Sequence, residues 1–141
     1  MSHHNAEVLE RALNSFSAPA SAVAENFTAD WVNHDPSMPP MSGLAGAEQL
    51  LGLFRTAFSN LKVQMEDSIE EGDKVAARFR MTGTHSGPMM GIPATGKPIS
   101  VLATGIFRVA DGKLAENWVN IDALSLMQQI GAVPAPGQTH A

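Results

Sequence analysis

The chain has 141 residues, with 9 Lys and Arg against 14 Asp and Glu, a formal net charge of −5, 44% hydrophobic residues and 16% charged ones; that supports a single domain over 1–141 with one core, and excludes a disordered chain. The cations are scattered, with no basic stripe for nucleic acid and no apolar run near the roughly 20 residues of a membrane span, so neither partner is expected. There is no Cys and no Tyr, which removes disulfides, thiolate chemistry and cysteine metal sites, and every mechanism that needs a phenol.

The opening Met1–Glu7 has neither a basic segment nor an apolar signal core, so a cytoplasmic address is the expectation. His3 and His4 read as part of a disordered terminus. Val8, Leu9, Ala12, Leu13 and Phe16 recur at helical spacing. Ser17-Ala18-Pro19 interrupts that helix, and Pro19 suits the first turn of a second one, whose buried stripe is Val23, Phe27 and Trp31. Asn33-His34-Asp35-Pro36 leads into a loop through Met38-Pro39-Pro40-Met41, where proline forbids regular structure. Gly43 to Ser59 is a third helix, with Leu44, Ala47, Leu50, Leu51, Phe54 and Phe58 on one face.

From Leu61 the period changes to two. Leu61, Val63 and Met65 alternate with Lys62, Gln64 and Glu66, as on a half-buried strand. Glu71-Gly72-Asp73-Lys74 is a hairpin turn, and Val75 to Thr84 a second strand. Gly87 to Gly96 is a loop carrying Met89 and Met90. Ile99 to Val109 is a third strand, Asp111-Gly112 a tight turn, and Lys113 to Ile121 a fourth strand. Asp122 to Ile130 is a short helix stopped at Gly131, and the tail after Pro134 reads as loose. Helices followed by antiparallel strands make an α+β order.

Four segments carry a family resemblance. They are Asn33-His34-Asp35-Pro36; Glu71 to Arg78 continuing to Gly83-Thr84-His85; Gly91-Ile92-Pro93-Ala94-Thr95-Gly96-Lys97-Pro98; and Phe107 to Trp118 with Asp122 beyond. In this order and spacing they resemble the SnoaL-like polyketide cyclases of the nuclear-transport-factor-2-like superfamily, over a core of about residues 6–133. The resemblance implies an α+β cone: a strongly curved antiparallel or mixed, barrel-like sheet with N-terminal helices closing a central pocket. It implies a homodimer or higher homo-oligomer packed through the outer sheet face. It further implies cofactor-free ring closure of an apolar carbonyl compound by an intramolecular aldol step, with one acidic residue as general acid/base. Asp122 occupies the matching position. Fold carries further than activity in such a family.

The residues can be weighed beside that resemblance. Along the last strand Glu116, Trp118, Asn120 and Asp122 point one way, while Ala115, Val119 and Ile121, with Asn117 between them, point the other. A polar set with one indole suits a wet pocket or bulk solvent, and with the resemblance it is expected to face the pocket. A carboxyl in apolar surroundings, supplied by Trp118, Met89 and Met90, can serve as both base and acid. Asp122 is also a good N-cap for the helix that follows it, a role that would weaken it as a base.

His34 and His85 are candidate pocket residues, against the plainer reading of structural histidines. Arg78 is a candidate to hold an enolate. It and Arg80 also fit the outer face, paired with Glu66 or Glu70. A metal site from His34, Asp35, His85 and Asp122 matches no compact ligand motif, so no metal or other cofactor is expected. The Gly91–Gly96 loop lacks the ending of a phosphate loop; with Met89 and Met90 it reads as an adaptable flap over an apolar cavity. Isomerisation relying on a phenol is disfavoured by the missing tyrosine. Epoxide opening by Asp122, Glu116 and Arg78, and a non-catalytic binding or scaffold role, remain alternatives.

Overall fold

The computed structural model describes residues 4–18, 22–35 and 38–134. The readings made for His3, Pro19, Pro36 and the tail beyond Pro134 lie outside them. Helix α1 (His4–Asn14) buries Val8, Leu9, Ala12 and Leu13, as their spacing requires, and carries Glu7 in its first turn and Arg11 in its last, each favourable to the helix dipole. His4 opens this helix rather than belonging to a loose terminus. A 3-10 turn (Ser15–Ser17) follows, and α2 (Ala22–Asn26) is only five residues long.

The helical stripe expected through Phe27 and Trp31 is instead strand β1 (Phe27–His34). Residues four apart share a face in either conformation, and Phe27, Thr28, Trp31 and Val32 supply the β-branched and aromatic content of a strand. Phe27 and Trp31 meet edge to face at 5.4 Å, both buried. After the short strand β2 (Met41–Ser42), α3 (Gly43–Ala57) buries Ala47, Leu50, Leu51 and Phe54. Strands β3 (Phe58–Glu71), β4 (Lys74–His85), β5 (Pro98–Ala110) and β6 (Lys113–Ile121) then run as a meander, and α4 (Ala123–Gln129) closes the described chain. Asp111 and Gly112 turn the β5–β6 hairpin with φ of 53° and 72°, values that suit a type I′ turn.

The strands form one mixed sheet in the order β2-β1-β6-β5-β4-β3, with β1 parallel to β6 and every other pair antiparallel. The sheet is open, with β2 and β3 as its edges, rather than a closed barrel. Val63, Val75, Phe79, Met81, Val101 and Phe107 line its inner face. Helix α1 lies against β3 to β6, and α3 against β1, β2 and β3. Arg55 of α3 holds α1 in place by donating to the carbonyls of Ser15, Phe16 and Ala18 at its end. These helices and the inner sheet face enclose one continuous core.

The loop between β4 and β5 is docked by its backbone. The N–H groups of Ser86 and Gly87 both donate to the Ala57 carbonyl at the end of α3, at 3.0 and 3.1 Å. A Cβ at Gly87 would be driven into the Thr56 carbonyl oxygen, which has no flexible side chain to yield. Gly87→Ala is therefore expected to lower stability by about 1–3 kcal/mol, the usual cost of overpacking. Urea unfolding midpoints of the two proteins check this; an unchanged midpoint would mean the loop is not pinned there.

Candidate active site

Strand β6 decides which side chains meet the core. Its register with β5 shifts between Arg108 and Val109: Arg108 pairs with Glu116 while Val109 pairs with Leu114, leaving Ala115 as the extra residue of a bulge. Leu114 and Ala115 are both buried, and beyond the bulge Asn117, Val119 and Ile121 face the helices. Glu116, Trp118 and Asn120 face the opposite side of the sheet. This reverses the expectation that the polar set looks into the pocket. Val119 and Ile121 gain from leaving water and Glu116 does not, so hydrophobic pattern fixes the parity.

Between α1, α3 and the sheet is a cavity of about 50 Å³. Its wall is hydrocarbon, from side chains such as Leu13, Phe54, Phe79 and Phe107, apart from Asn33, Asp35 and Asn117. Asp35 is the one ionisable residue among the described residues of the wall. Asn33 and Asn117 are register partners on β1 and β6 and are only 7% and 6% exposed. The Asn117 Oδ1 is buried without a hydrogen-bond partner, a condition that costs about 1–3 kcal/mol. Three other buried side-chain atoms share it among the described residues, Thr28 Oγ1, Trp31 Nε1 and His85 Nε2, but none of those residues lines the cavity.

A cavity of this size has room for a water or two and not for the apolar carbonyl compound that the resemblance implies. A second hollow of about 130 Å³ adjoins it, formed by Leu53, Pro88, Met89 and Met90 together with Met38 and Phe54, which border both spaces. The two methionines predicted to form a flap therefore line this side hollow. Met90 is 56% exposed and has φ of 49°, a left-handed conformation that costs a non-glycine residue roughly 1–2 kcal/mol. Asn33, Asp35 and Met38 also border a groove shared with His34, Trp118 and Asn120, so Asp35 stands where the interior approaches the surface.

The outer face carries most of the other predicted site residues. Glu116 accepts from Arg108 Nε at 3.1 Å and from His34 Nε2 at 2.7 Å. The His34 ring stacks on Trp118 at 5.2 Å, and Lys74 Nζ stands 5.3 Å from the Trp118 ring centre. The His34 hydrogen bond, aided by Arg108 and opposed by burial, holds the Glu116 carboxyl below its ordinary value of 4.5. Arg78 lies 3.8 Å from Glu66, and Arg80 donates to Glu66 and Ser100 at 3.0 and 2.8 Å. Arg78 is thus an outer-face charge rather than a pocket residue, as even parity on β4 dictates.

Asp122 is exposed and caps α4: its Oδ1 accepts from Ser125 N–H at 3.1 Å, and its own N–H donates to the Leu102 carbonyl. His85 is fully buried on the inner side of β4, beneath the β4–β5 loop and beside Phe58, but away from the cavity. The Thr95 N–H donates to its Nδ1 at 3.3 Å, so Nδ1 is the acceptor. The trio considered for epoxide opening does not assemble: Glu116 is tied to His34 and Arg108, Arg78 to Glu66, and Asp122 to its helix. Nor, among the described residues, do three His, Asp or Glu side chains gather as a metal would need.

Asn33, Asp35 and Asn117 were missed as pocket residues. Reading 27–35 as a strand would have found the first two, since Trp31, Asn33 and Asp35 share parity with a buried indole.

The family model for SnoaL-like polyketide cyclases matches residues 6–130. The chain is 30% identical over 115 residues to the aklanonic acid methyl ester cyclase DnrD of Streptomyces peucetius, covering 77% of each chain. It is equally similar to the aklanonic acid methyl ester cyclase DauD of Streptomyces sp. strain C5, covering 77% of this chain and 70% of that one. Among solved structures, TsrD from Streptomyces laurentii superposes with a TM-score of 0.83 at 26% identity, covering 94% of this chain and 99% of that one.

The outer-face network has a titration signature. A carboxyl held below 4.5 contributes stability that is present above its unfolded value and lost as pH falls through the lower folded one. Replacing His34 by Ala removes the largest cause, so the Glu116 resonance should titrate at higher pH in His34→Ala than in the parent. A carboxyl-detected NMR titration reads this directly. Coincident curves would mean that the His34–Glu116 bond is not formed in solution.

Proposed function

The chain belongs to the SnoaL-like polyketide cyclase family, and on that premise we propose that it closes a ring in an apolar, carbonyl-rich molecule by cofactor-free acid/base chemistry in the interior cavity, with Asp35 as the acid/base. The observation that carries the reading is the placement of Asp35, the one ionisable side chain among the described residues of an otherwise hydrocarbon and amide wall. An intramolecular aldol closure needs no co-reactant. The Asp35 carboxylate takes a proton from the carbon beside one carbonyl. The resulting enolate carbon bonds to a second carbonyl carbon of the same molecule, whose π pair moves to oxygen. That oxygen takes the proton back from the Asp35 carboxylic acid, and the side chain is regenerated.

The relatives' names give aklanonic acid methyl ester as the first compound to test. A guest of that size requires Met38 and Phe54 to move so that the two hollows join, a motion suited to methionine. Asp35→Asn is expected to lower turnover by about 10²–10⁴-fold, the usual contribution of a positioned acid/base. Asp122→Asn should keep turnover, because Asn caps a helix as well as Asp does. The opposite pattern would transfer the chemistry to Asp122, the residue the family resemblance assigns. A compound bound by the parent protein and never turned over would leave a binding protein in place of an enzyme.

We further propose that a second copy of the chain covers the outer sheet face. Ile69, Leu102 and Ile106 are 73%, 37% and 47% exposed there, interspersed with Lys74, Arg78, Arg80, Glu66, Asp67 and Glu116. Both charge signs on one face allow a two-fold copy to pair them. Sedimentation should find a dimer that Ile106→Asp converts to monomer; a monomeric parent protein would end this assignment.

A further inference from the structure

We infer that the side hollow between α3 and the β4–β5 loop is a binding site for a single uncharged aromatic ring, with Leu53 and Met90 as its rim. The inference goes beyond ring closure at Asp35, which is not among the residues lining this hollow.

The turn that forms the outer wall is built against its own backbone preference. Met89 and Ile92 exchange two backbone hydrogen bonds, at 3.0 and 2.8 Å, which close a two-residue hairpin over Met90 and Gly91. Their φ values of 49° and 77° suit a type I′ turn, whose first position favours Asn, Asp or Gly. The chain supplies that chemistry at Asp111-Gly112 and not at Met90, so turn formation does not explain the methionine. Core packing does not explain it either, since Met90 is more than half exposed while Met89 packs against the core. What Met90 shares with Leu53 is a place at the mouth of the hollow: both are exposed, one on the loop and one on α3, and both line it. A strained residue kept at such a rim is a mark of function.

The remaining lining, Met38, Phe54, Pro88 and Met89, is apolar too, so among the described residues no charged or hydrogen-bonding side chain enters the wall. Such a wall accepts a hydrocarbon group and rejects an ionised one, which would lose its water without gaining a partner. Volume then sets the size of the guest. The hollow, at about 130 Å³, is close to the roughly 150 Å³ of an engineered apolar cavity that takes up benzene, which matches one six-membered ring. Phe54 supplies an aromatic surface to that ring, and the methionine thioethers adapt to its outline and favour its edge. The two walls are fixed relative to each other by the bonds from Ser86 and Gly87 to the Ala57 carbonyl, so the site is in place before a guest arrives.

The test uses toluene and benzoate, the same ring without and with a charge, followed in ¹H–¹³C spectra of the Met and Leu methyl groups. Toluene should shift the Met89 and Met90 methyls saturably, and benzoate at the same concentrations should leave them in place. Met90→Asn suits the turn better, so it should raise the melting temperature or leave it unchanged while weakening toluene binding about two- to tenfold, the share of one thioether–ring contact. Leu53→Asn, on the opposite side of the mouth, should weaken toluene binding as well. Toluene that shifts neither methionine methyl, or benzoate that shifts them as toluene does, would overturn the inference without recourse to any variant. Shifts confined to the Leu13 and Leu50 methyls would overturn it too, by placing the ring in the interior cavity. Unchanged toluene affinity in either variant would do the same. A lower melting temperature in Met90→Asn would show that folding retains the methionine, and would also count against the site. Because binding alone is read, the outcome stands whether or not Asp35→Asn turns over normally.

Discussion

The bulge at Ala115 is the constraint on which the rest of the structure depends. One extra residue on β6 lets Leu114 and Ala115 both be buried and still delivers Val119 and Ile121 to the core. The parity that follows assigns every later side chain of the strand. Asn117 goes inward with the hydrocarbon, and Glu116 and Trp118 go outward to His34, Arg108 and Lys74. The parallel partner obeys the same rule, because β1 is held in register with it: Asn33 pairs with Asn117 inside, while His34 pairs with Trp118 outside. Two central strands thus carry an amide pair on one face and a stacked, charged cluster on the other, with single residues separating the two environments.

The interior is tight because the helices are anchored at several points. Arg55 ties the end of α1 to α3, and the β4–β5 loop is tied to the last turn of α3 through Ala57. What remains adjustable lies between those anchors, at Met38, Phe54, Met89 and Met90. Met38 and Phe54 separate a space of water size from one about two and a half times larger, and unbranched methionine changes rotamer at little cost.

Much of this was legible in the sequence where a strong period met little competition. The apolar faces of α1 and α3, the β3–β6 meander and the Asp111-Gly112 turn follow from spacing and turn chemistry. The β1 strand was not legible in the same way, because a spacing of four from Val23 to Phe27 to Trp31 satisfies helix and strand alike until a neighbour in the sheet decides. The candidate site was lost on a related point. Alternation along Glu116–Asp122 correctly divided the strand into two sets, but the polar set was given the pocket on the strength of its chemistry. The apolar set, with Asn117 among its members, had the stronger claim to the inside, since burying Val119 and Ile121 is favourable and burying Glu116 is not. A bulge adds a difficulty of its own: nothing in Leu114-Ala115-Glu116 announces an extra residue, and only the β5 register reveals it.

In the function we propose, the two aspartates separate roles that the resemblance placed together on Asp122. Asp122 sits where a strand ends and a helix begins, and its carboxylate is occupied in accepting the Ser125 N–H at the positive end of a short dipole. That bond ties the carboxylate to the start of the helix, and the side chain is exposed to solvent. Asp35 sits at the end of β1, with the same parity as Trp31 and Asn33, and borders both the interior cavity and the groove beside His34. Its surroundings on the inner side are hydrocarbon and amide. The division follows from backbone geometry alone: strand parity carries Asp35 to the cavity rim, and the helix start carries Asp122 away from it.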